Sequence, residues 1–171
     1  MNYFELFDLP VSFYIDKNIL EERYDALMRR YQPGFSTDAP DPELPDLIER
    51  AYLVFQNEDD TIQYVLQLKD LLSDEENYEL STQFLMEVQD INAELVELEL
   101  DEKQEQLMNV EQKVNTLILK IYEDLATAME SYKEDTGTEE TLLQVRDFYF
   151  QKKYLQRILD RIKGIRNITS L

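Results

Sequence analysis

The sequence predicts an all-α protein built in two parts. Three observations lead there. Only three glycines and five prolines interrupt 171 residues, which favours long helices over a strand-rich fold. Apolar residues make up 43% of the chain, enough for a packed core and too many for a disordered one. The breakers are also unevenly spread. Proline, aspartate and serine punctuate the first half, whereas three long amphipathic stretches follow from Thr82 with few interruptions.

Each element has its own signal. Asn2 to Leu9 reads as a short apolar-rich helix that Pro10 stops. Ile15-Asp16 opens the next helix. Asp16 is placed to accept from an orphan amide, and Ile15 and Leu20 are spaced as a hydrophobic staple. Leu20, Tyr24, Leu27 and Tyr31 then recur on one helical face, and Pro33-Gly34 ends the helix. Phe35 to Asp41 is loop. Pro42 and Pro45 fit the first turn of a third helix, where a missing amide donor costs little. Leu47, Ile48, Ala51, Val54 and Phe55 are its expected buried stripe. Glu58-Asp59-Asp60 reads as a turn and cap, and Ile62, Val65 and Leu66 continue into a short fourth helix ending near Leu72. The polar, acidic run from Ser73 to Ser81 reads as a linker.

The second part is simpler. Phe84, Val88, Ile91, Leu95 and Leu98 make one stripe, and Asp101 marks a turn. Leu107, Val110, Val114, Leu117, Ile121, Leu125 and Tyr132 make the next. Asp135-Thr136-Gly137 is a turn, with Thr136 and Glu139 spaced as a capping box. Leu142, Val145, Tyr149, Leu155, Leu159 and Ile162 carry the last helix. Three helices joined by short turns make a bundle. The expected division is therefore residues 1–72, a linker over 73–81, and a bundle over 82–171.

Composition narrows the function. The net charge is −20, so the clustered cations that displace counterions from nucleic acid are missing, and anionic membranes are disfavoured as well. No run of 18 apolar residues is present to span a bilayer. Glu5 and Asp8 interrupt the N-terminal apolar residues, which argues against a signal peptide; the expected location is the cytoplasm. With no histidine and no cysteine, thiolate sites, the Glu-x-x-His di-iron pattern and the usual nucleophile–base pairs are out of reach. Glu94 and Glu97 supply half of a Glu-x-x-Glu pattern, but no Glu-x-x-Asp follows. No phosphate-binding glycine loop occurs. The expectation is a protein that binds other proteins, with no catalytic residues, metal or cofactor.

Charge is also uneven inside the bundle. Seven acidic residues and no basic one lie between Gln83 and Glu102, while the last helix carries Arg146, Lys152, Lys153, Arg157, Arg161, Lys163 and Arg166. Attraction between helices accounts for this, each exposed pair giving about 0–1 kcal/mol. A partner-docking face is the second reading.

Several segments carry a family resemblance. Tyr3-Phe4-Glu5-Leu6-Phe7-Asp8-Leu9-Pro10 resembles the opening of HscB, the J-type co-chaperone family of iron–sulfur cluster assembly. Ala51-Tyr52 with Phe55, then Tyr64-Val65-Leu66, is similar to the end of its J domain. Phe84-Leu85-Met86-Glu87 and Glu94-Leu95-Val96-Glu97-Leu98-Glu99 resemble the first helix of its C-terminal domain, and Val145-Arg146 with Phe150-Gln151-Lys152-Lys153 its last. The order is kept from end to end. The resemblance implies an N-terminal J-domain-like helical hairpin unit plus a C-terminal three-helix bundle.

It also implies partners. The family's J domain docks on an ATPase chaperone of the heat-shock cognate class and stimulates it; the bundle binds the cluster scaffold, IscU. The chaperone-facing residues would be Arg23, Arg29 and Arg30 with the tripeptide Gln32, Pro33 and Gly34. That tripeptide stands where J domains carry His-Pro-Asp. Proline–glycine still makes a turn. Gly34 has no carboxylate for a chaperone arginine, a bond type worth about 1.5–3 kcal/mol. Weak or absent ATPase stimulation is the consequence. The scaffold patch of the family falls on Leu85, Met86 and Phe150. An apolar position of that patch is Gln89 here, and its acidic positions are Asp90 and Ala93, so the patch is partly retained. By spacing, Leu85 and Met86 lie off the buried stripe, and Phe150 and Tyr154 lie beside theirs. Such residues either widen the core, pack on the J domain or form an exposed hot spot. The alternative function is a non-catalytic adaptor that keeps the fold and binds a different protein.

Overall fold

The computed structural model describes residues 1–31, 41–101 and 103–169, with Thr169 described by its backbone alone. It is all-helical among these residues: α1 (Tyr3–Leu6), α2 (Lys17–Tyr31), α3 (Leu44–Gln56), α4 (Glu58–Leu68), a single 3₁₀ turn (Glu75–Asn77), α5 (Thr82–Leu100), α6 (Gln104–Ser131) and α7 (Glu139–Thr169). The chain divides into two compact units. One is Met1–Ser73 with Ala128–Leu143; the other is Asp74–Thr127 with Gln144–Leu171.

Short helices in the first unit are held by caps and aromatic rings. Asn2 accepts from the Glu5 amide while the Glu5 carboxylate accepts from the Asn2 amide, a reciprocal box that starts a four-residue helix. Asp8 sits at φ 52° just past its end, and the Leu9 amide reaches back to the Phe4 carbonyl, the geometry of a Schellman stop. Asp70 (φ 57°) closes α4 in the same way, with the Leu71 amide on the Leu66 carbonyl. Aspartate tolerates this left-handed region better than most residues, which lets two helices stop without glycine. Asp16 caps α2 as expected, accepting from the Asn18 and Ile19 amides. Pro45 lies in the first turn of α3; Pro42 lies in the turn that precedes it. The cap of α4 differs from expectation. Asn57 accepts from the Asp60 amide, so Glu58, Asp59 and Asp60 form the first helical turn, where their charge suits the helix dipole. The helix also ends earlier, at Leu68, because Asp70 already turns the chain.

The core of this unit is aromatic. Phe4, Phe7, Phe13 and Phe55 are buried with Leu20, Ile48, Ala51, Ile62, Val65 and Leu66. Phe55 is the hub. Phe4 and Phe7 lie 4.7 and 5.7 Å from it, and Tyr64 lies 6.2 Å away edge-on. Tyr3 stacks on Tyr64 at 4.4 Å, and its amide donates to the Tyr64 hydroxyl. Lys17 Nζ donates to the Phe55 and Gln56 carbonyls, capping the C-terminus of α3 with a positive charge.

Residues 128–143, the end of α6, the turn after it and the start of α7, group with this first unit. The sequence division at residue 82 places them in the bundle. Two contacts explain the difference: Phe13 packs 5.1 Å from the ring of buried Tyr132, and Lys69 pairs with Glu134. The turn before α7 is also capped differently. Thr138, not Thr136, accepts from the Thr141 amide.

In the second unit α5, α6 and α7 share one apolar core. Phe84, Val88, Ile91, Leu95 and Leu98 meet Leu107, Val110 and Val114 and, from α7, Leu155, Ile158 and Ile162. Every position of the α5 stripe expected from the sequence is buried. The α7 stripe is shifted: Val145, Phe148, Leu155, Ile158 and Ile162 are buried, while Leu142, Tyr149 and Leu159 are only half-buried. Ser81 caps α5 by accepting from the Phe84 amide.

Candidate partner-binding surface

With five apolar side chains of α5 committed to the core, its other faces are open. Leu85 is 44% exposed and Met86 67%. Gln89, Asp90 and Ala93 are exposed as well. Leu85, Met86, Gln89 and Asp90 therefore stand together on solvent-facing turns of one helix.

Phe150 has a different surrounding. It is 7% exposed, and the ring of Tyr78 stacks on it at 4.0 Å, with Tyr149 edge-on at 5.1 Å. Tyr78 comes from the segment before α5 and is held there by a 2.7 Å hydrogen bond from its hydroxyl to Asp147. Arg146 lies 5.5 Å from the centroid of the Tyr78 ring, and Lys153 pairs with Glu75 of the same segment. Burial, and then the hydrogen bond to Asp147, push the Tyr78 phenol well above its ordinary value. Beside this contact lies a small pocket of about 140 Å³ lined by Leu80, Phe150, Lys153, Tyr154 and Arg157 among others. Of the three options for extra apolar residues, Phe150 takes the first: it widens the apolar interior beneath Tyr78. Tyr154 is half-buried, edge-on to Phe84 at 5.7 Å and hydrogen-bonded to Asn92 of α5. Sequence spacing carries no signal for Tyr78 as the cover, because it arrives from outside the helical register of α7.

The charges of α5 are partly used. Glu99 pairs with Arg161 of α7 at 2.6 Å and Glu94 with Lys113 of α6 at 2.5 Å. Arg166 pairs with Glu111 of α6. Among the described residues Glu87, Asp90, Glu97 and Asp101 enter no ion pair. Glu87, Asp90 and Glu94 line one wall of an open groove between α5 and α6, opposite Gln106, Asn109 and Gln112. No group of three His, Cys, Asp or Glu side chains among the described residues is arranged to hold a metal ion.

On α2 the three arginines have different surroundings. Arg23 is paired with Asp8 at 2.9 Å. Arg30 lies 5.4 Å from the centroid of the Tyr31 ring. Arg29 is exposed in the last turn, where a positive charge suits the helix dipole. Gln32, Pro33 and Gly34 lie outside the described residues.

Residues 80–163 match the family model described as the HSCB C-terminal oligomerisation domain, the stretch that carries α5, α6 and most of α7. A co-chaperone protein HscB homolog of Photobacterium profundum is 27% identical over 161 residues, covering 90% of this chain and 92% of that one. The bundle carries the HscB C-terminal domain, and the chain is similar to HscB-type co-chaperones over nearly its whole length. Co-chaperone protein HscB of Proteus mirabilis is 25% identical over 166 residues, covering 92% of this chain and 94% of its own. The fold agrees with solved HscB structures. The human protein superposes with a TM-score of 0.67 at 23% identity, covering 97% of this chain and 82% of that one. HscB from Vibrio cholerae gives 0.60 at 21% identity, with 98% of each chain covered. Among the described residues no helix is long and apolar enough to cross a membrane.

Proposed function

We propose that this HscB-type chain binds an iron–sulfur scaffold protein of the IscU type through α5, and that it stimulates a partner ATPase chaperone weakly or not at all. It acts by binding, without a reaction of its own. The observation that carries the scaffold half is the exposed Leu85–Met86 pair above a fully buried stripe. Exposed Met and Leu anchors bordered by carboxylates suit a protein partner, because Met adapts its shape and the border fixes orientation. Phe150 is covered by Tyr78, so the proposed site rests on Leu85 and Met86 with Gln89 and Asp90 beside them.

The chaperone half rests on the tripeptide Gln32-Pro33-Gly34 and on Arg23, Arg29 and Arg30. Gly34 offers no carboxylate, and Arg23 is already engaged by Asp8. Both features weaken a charged docking contact. The test is a steady-state ATPase assay of the cognate heat-shock cognate chaperone with this protein and with the double variant Gln32→His/Gly34→Asp. Little stimulation by the natural chain and a gain of at least several-fold by the variant are expected. Full stimulation by the natural chain would overturn this half. The scaffold half is tested separately by titrating IscU-type scaffold against the wild type and Leu85→Asp/Met86→Asp, for which a loss of at least tenfold in affinity is expected.

A further inference from the structure

Helix α5 carries more exposed apolar surface than the Leu85–Met86 pair. Val96 is 54% exposed and Leu100 86%. At 3.6 residues per turn, Leu85, Val96, Gln89, Leu100, Ala93 and Met86 fall in that angular order within a sector of about 100°. None of the six is charged. The buried stripe of Phe84, Val88, Ile91, Leu95 and Leu98 occupies the opposite side. The outer face is thus one uncharged strip about 22 Å long, at 1.5 Å per residue from Leu85 to Leu100.

Its two edges differ. Along one edge run Glu97, Asp90, Asp101, Glu94 and Glu87, of which, among the described residues, only Glu94 has a cation, Lys113. Along the other lie Glu99, neutralised by Arg161, and Asn92, bonded to Tyr154. A helix needs charge on its solvent side for solubility alone, but solubility places charge across the outermost sector. Here the strip from Leu85 to Leu100 is uncharged, and the charge that is unpaired among the described residues is gathered on one border. This arrangement is directional: it selects both the chemistry and the orientation of what covers it.

We infer that the whole length of α5, from Leu85 to Leu100, is a docking face for a protein surface that brings an apolar ridge bordered on one edge by Lys or Arg. The inference rests on the scaffold-binding reading and extends it beyond Asp90 by nearly three turns, to Val96 and Leu100. A second copy of this chain is the poorer occupant. It carries a net charge of −20 and presents the same acidic border, so association sets like charges together.

Three variants measured by calorimetry against IscU-type scaffold at two salt concentrations separate the possibilities. Val96→Asp/Leu100→Asp tests the extension, Leu85→Asp/Met86→Asp the original pair, and Glu97→Gln/Asp101→Asn the border. All six positions are exposed, and circular dichroism melts check that the fold is kept. Affinity is expected to fall about tenfold for the Val96/Leu100 variant. The Glu97/Asp101 variant is expected to bind a few-fold more weakly at low salt and to lose much of the salt dependence. Wild-type affinity in the Val96/Leu100 variant, with loss in the Leu85/Met86 variant, overturns the extension and leaves the scaffold reading standing. Unchanged affinity in both apolar variants overturns the scaffold reading and the extension together. Sedimentation that shows wild-type dimers dispersed by Val96→Asp/Leu100→Asp makes the occupant a second copy, and overturns the basic-edged partner.

Discussion

The two units solve the same problem with different side chains. The first is made of helices of four to fifteen residues, and its interior is built on Phe4, Phe7, Phe13, Phe55 and Tyr64. The second uses helices of nineteen residues or more, and its interior is mostly Val, Leu and Ile in continuous stripes. A short helix offers few inward positions, so each must bury a large area, and aromatic rings bury more than aliphatic chains. A long helix repeats its inward position every turn and reaches the same burial with smaller groups. Stability is therefore concentrated in the first unit and distributed in the second.

The largest effect should come from that concentration. Phe55→Ala removes the hub of four ring contacts and is expected to cost about 3–5 kcal/mol, whereas Leu95→Ala should cost about 2–5 kcal/mol. Amide hydrogen exchange locates the damage. Phe55→Ala should speed exchange across residues 1–31 and 41–73, and Leu95→Ala across α5 and the central turns of α6 and α7. Equal acceleration everywhere would break the contrast.

Caps come next. Asn57→Ala removes the acceptor for the Asp60 amide, and Ser81→Ala the acceptor for Phe84. Each is expected to cost about 1 kcal/mol by chemical denaturation. The shorter α4 should fray further than the long α5, which exchange at the first helical amides reports.

The smallest effect is an alkaline one, and it sharpens the second unit's weak point. Burial and Asp147 raise the Tyr78 phenol, so the folded state holds its proton after an unfolded tyrosine has lost it. This stabilisation is complete below the ordinary tyrosine value, about pH 10. It is lost progressively as pH rises above that. Tyr64 is raised in the same sense by burial. Thermal melts from pH 8 to 11 should show a decline that is shallower in Tyr78→Phe. Because Tyr78 is only partly buried, solvent screening keeps the difference small.

Much of this architecture was legible in the residues. The α5 stripe and the cap at Asp16 follow from neighbours within four positions, and local geometry alone enforces them. The candidate surface was legible in part. Leu85 and Met86 fall outside the buried stripe by spacing, and they are exposed. The apolar continuation to Val96 and Leu100 was equally open to periodicity, yet nothing in the stripe itself distinguishes an unused face from a solvated one. Phe150 was not legible. Its neighbours in α7 place it beside a buried stripe, which fits an exposed anchor as well as a covered one.

By itself the sequence determined which stretches are helical and, for α5, which face turns inward, because both depend on spacings of three and four residues. The tertiary structure alone decided what meets those faces. Tyr78 covers Phe150 from 72 positions away, and Phe13 draws Tyr132 into the first unit across 119. Contacts of that reach depend on how segments distant in the chain converge, and helical periodicity carries no information about it.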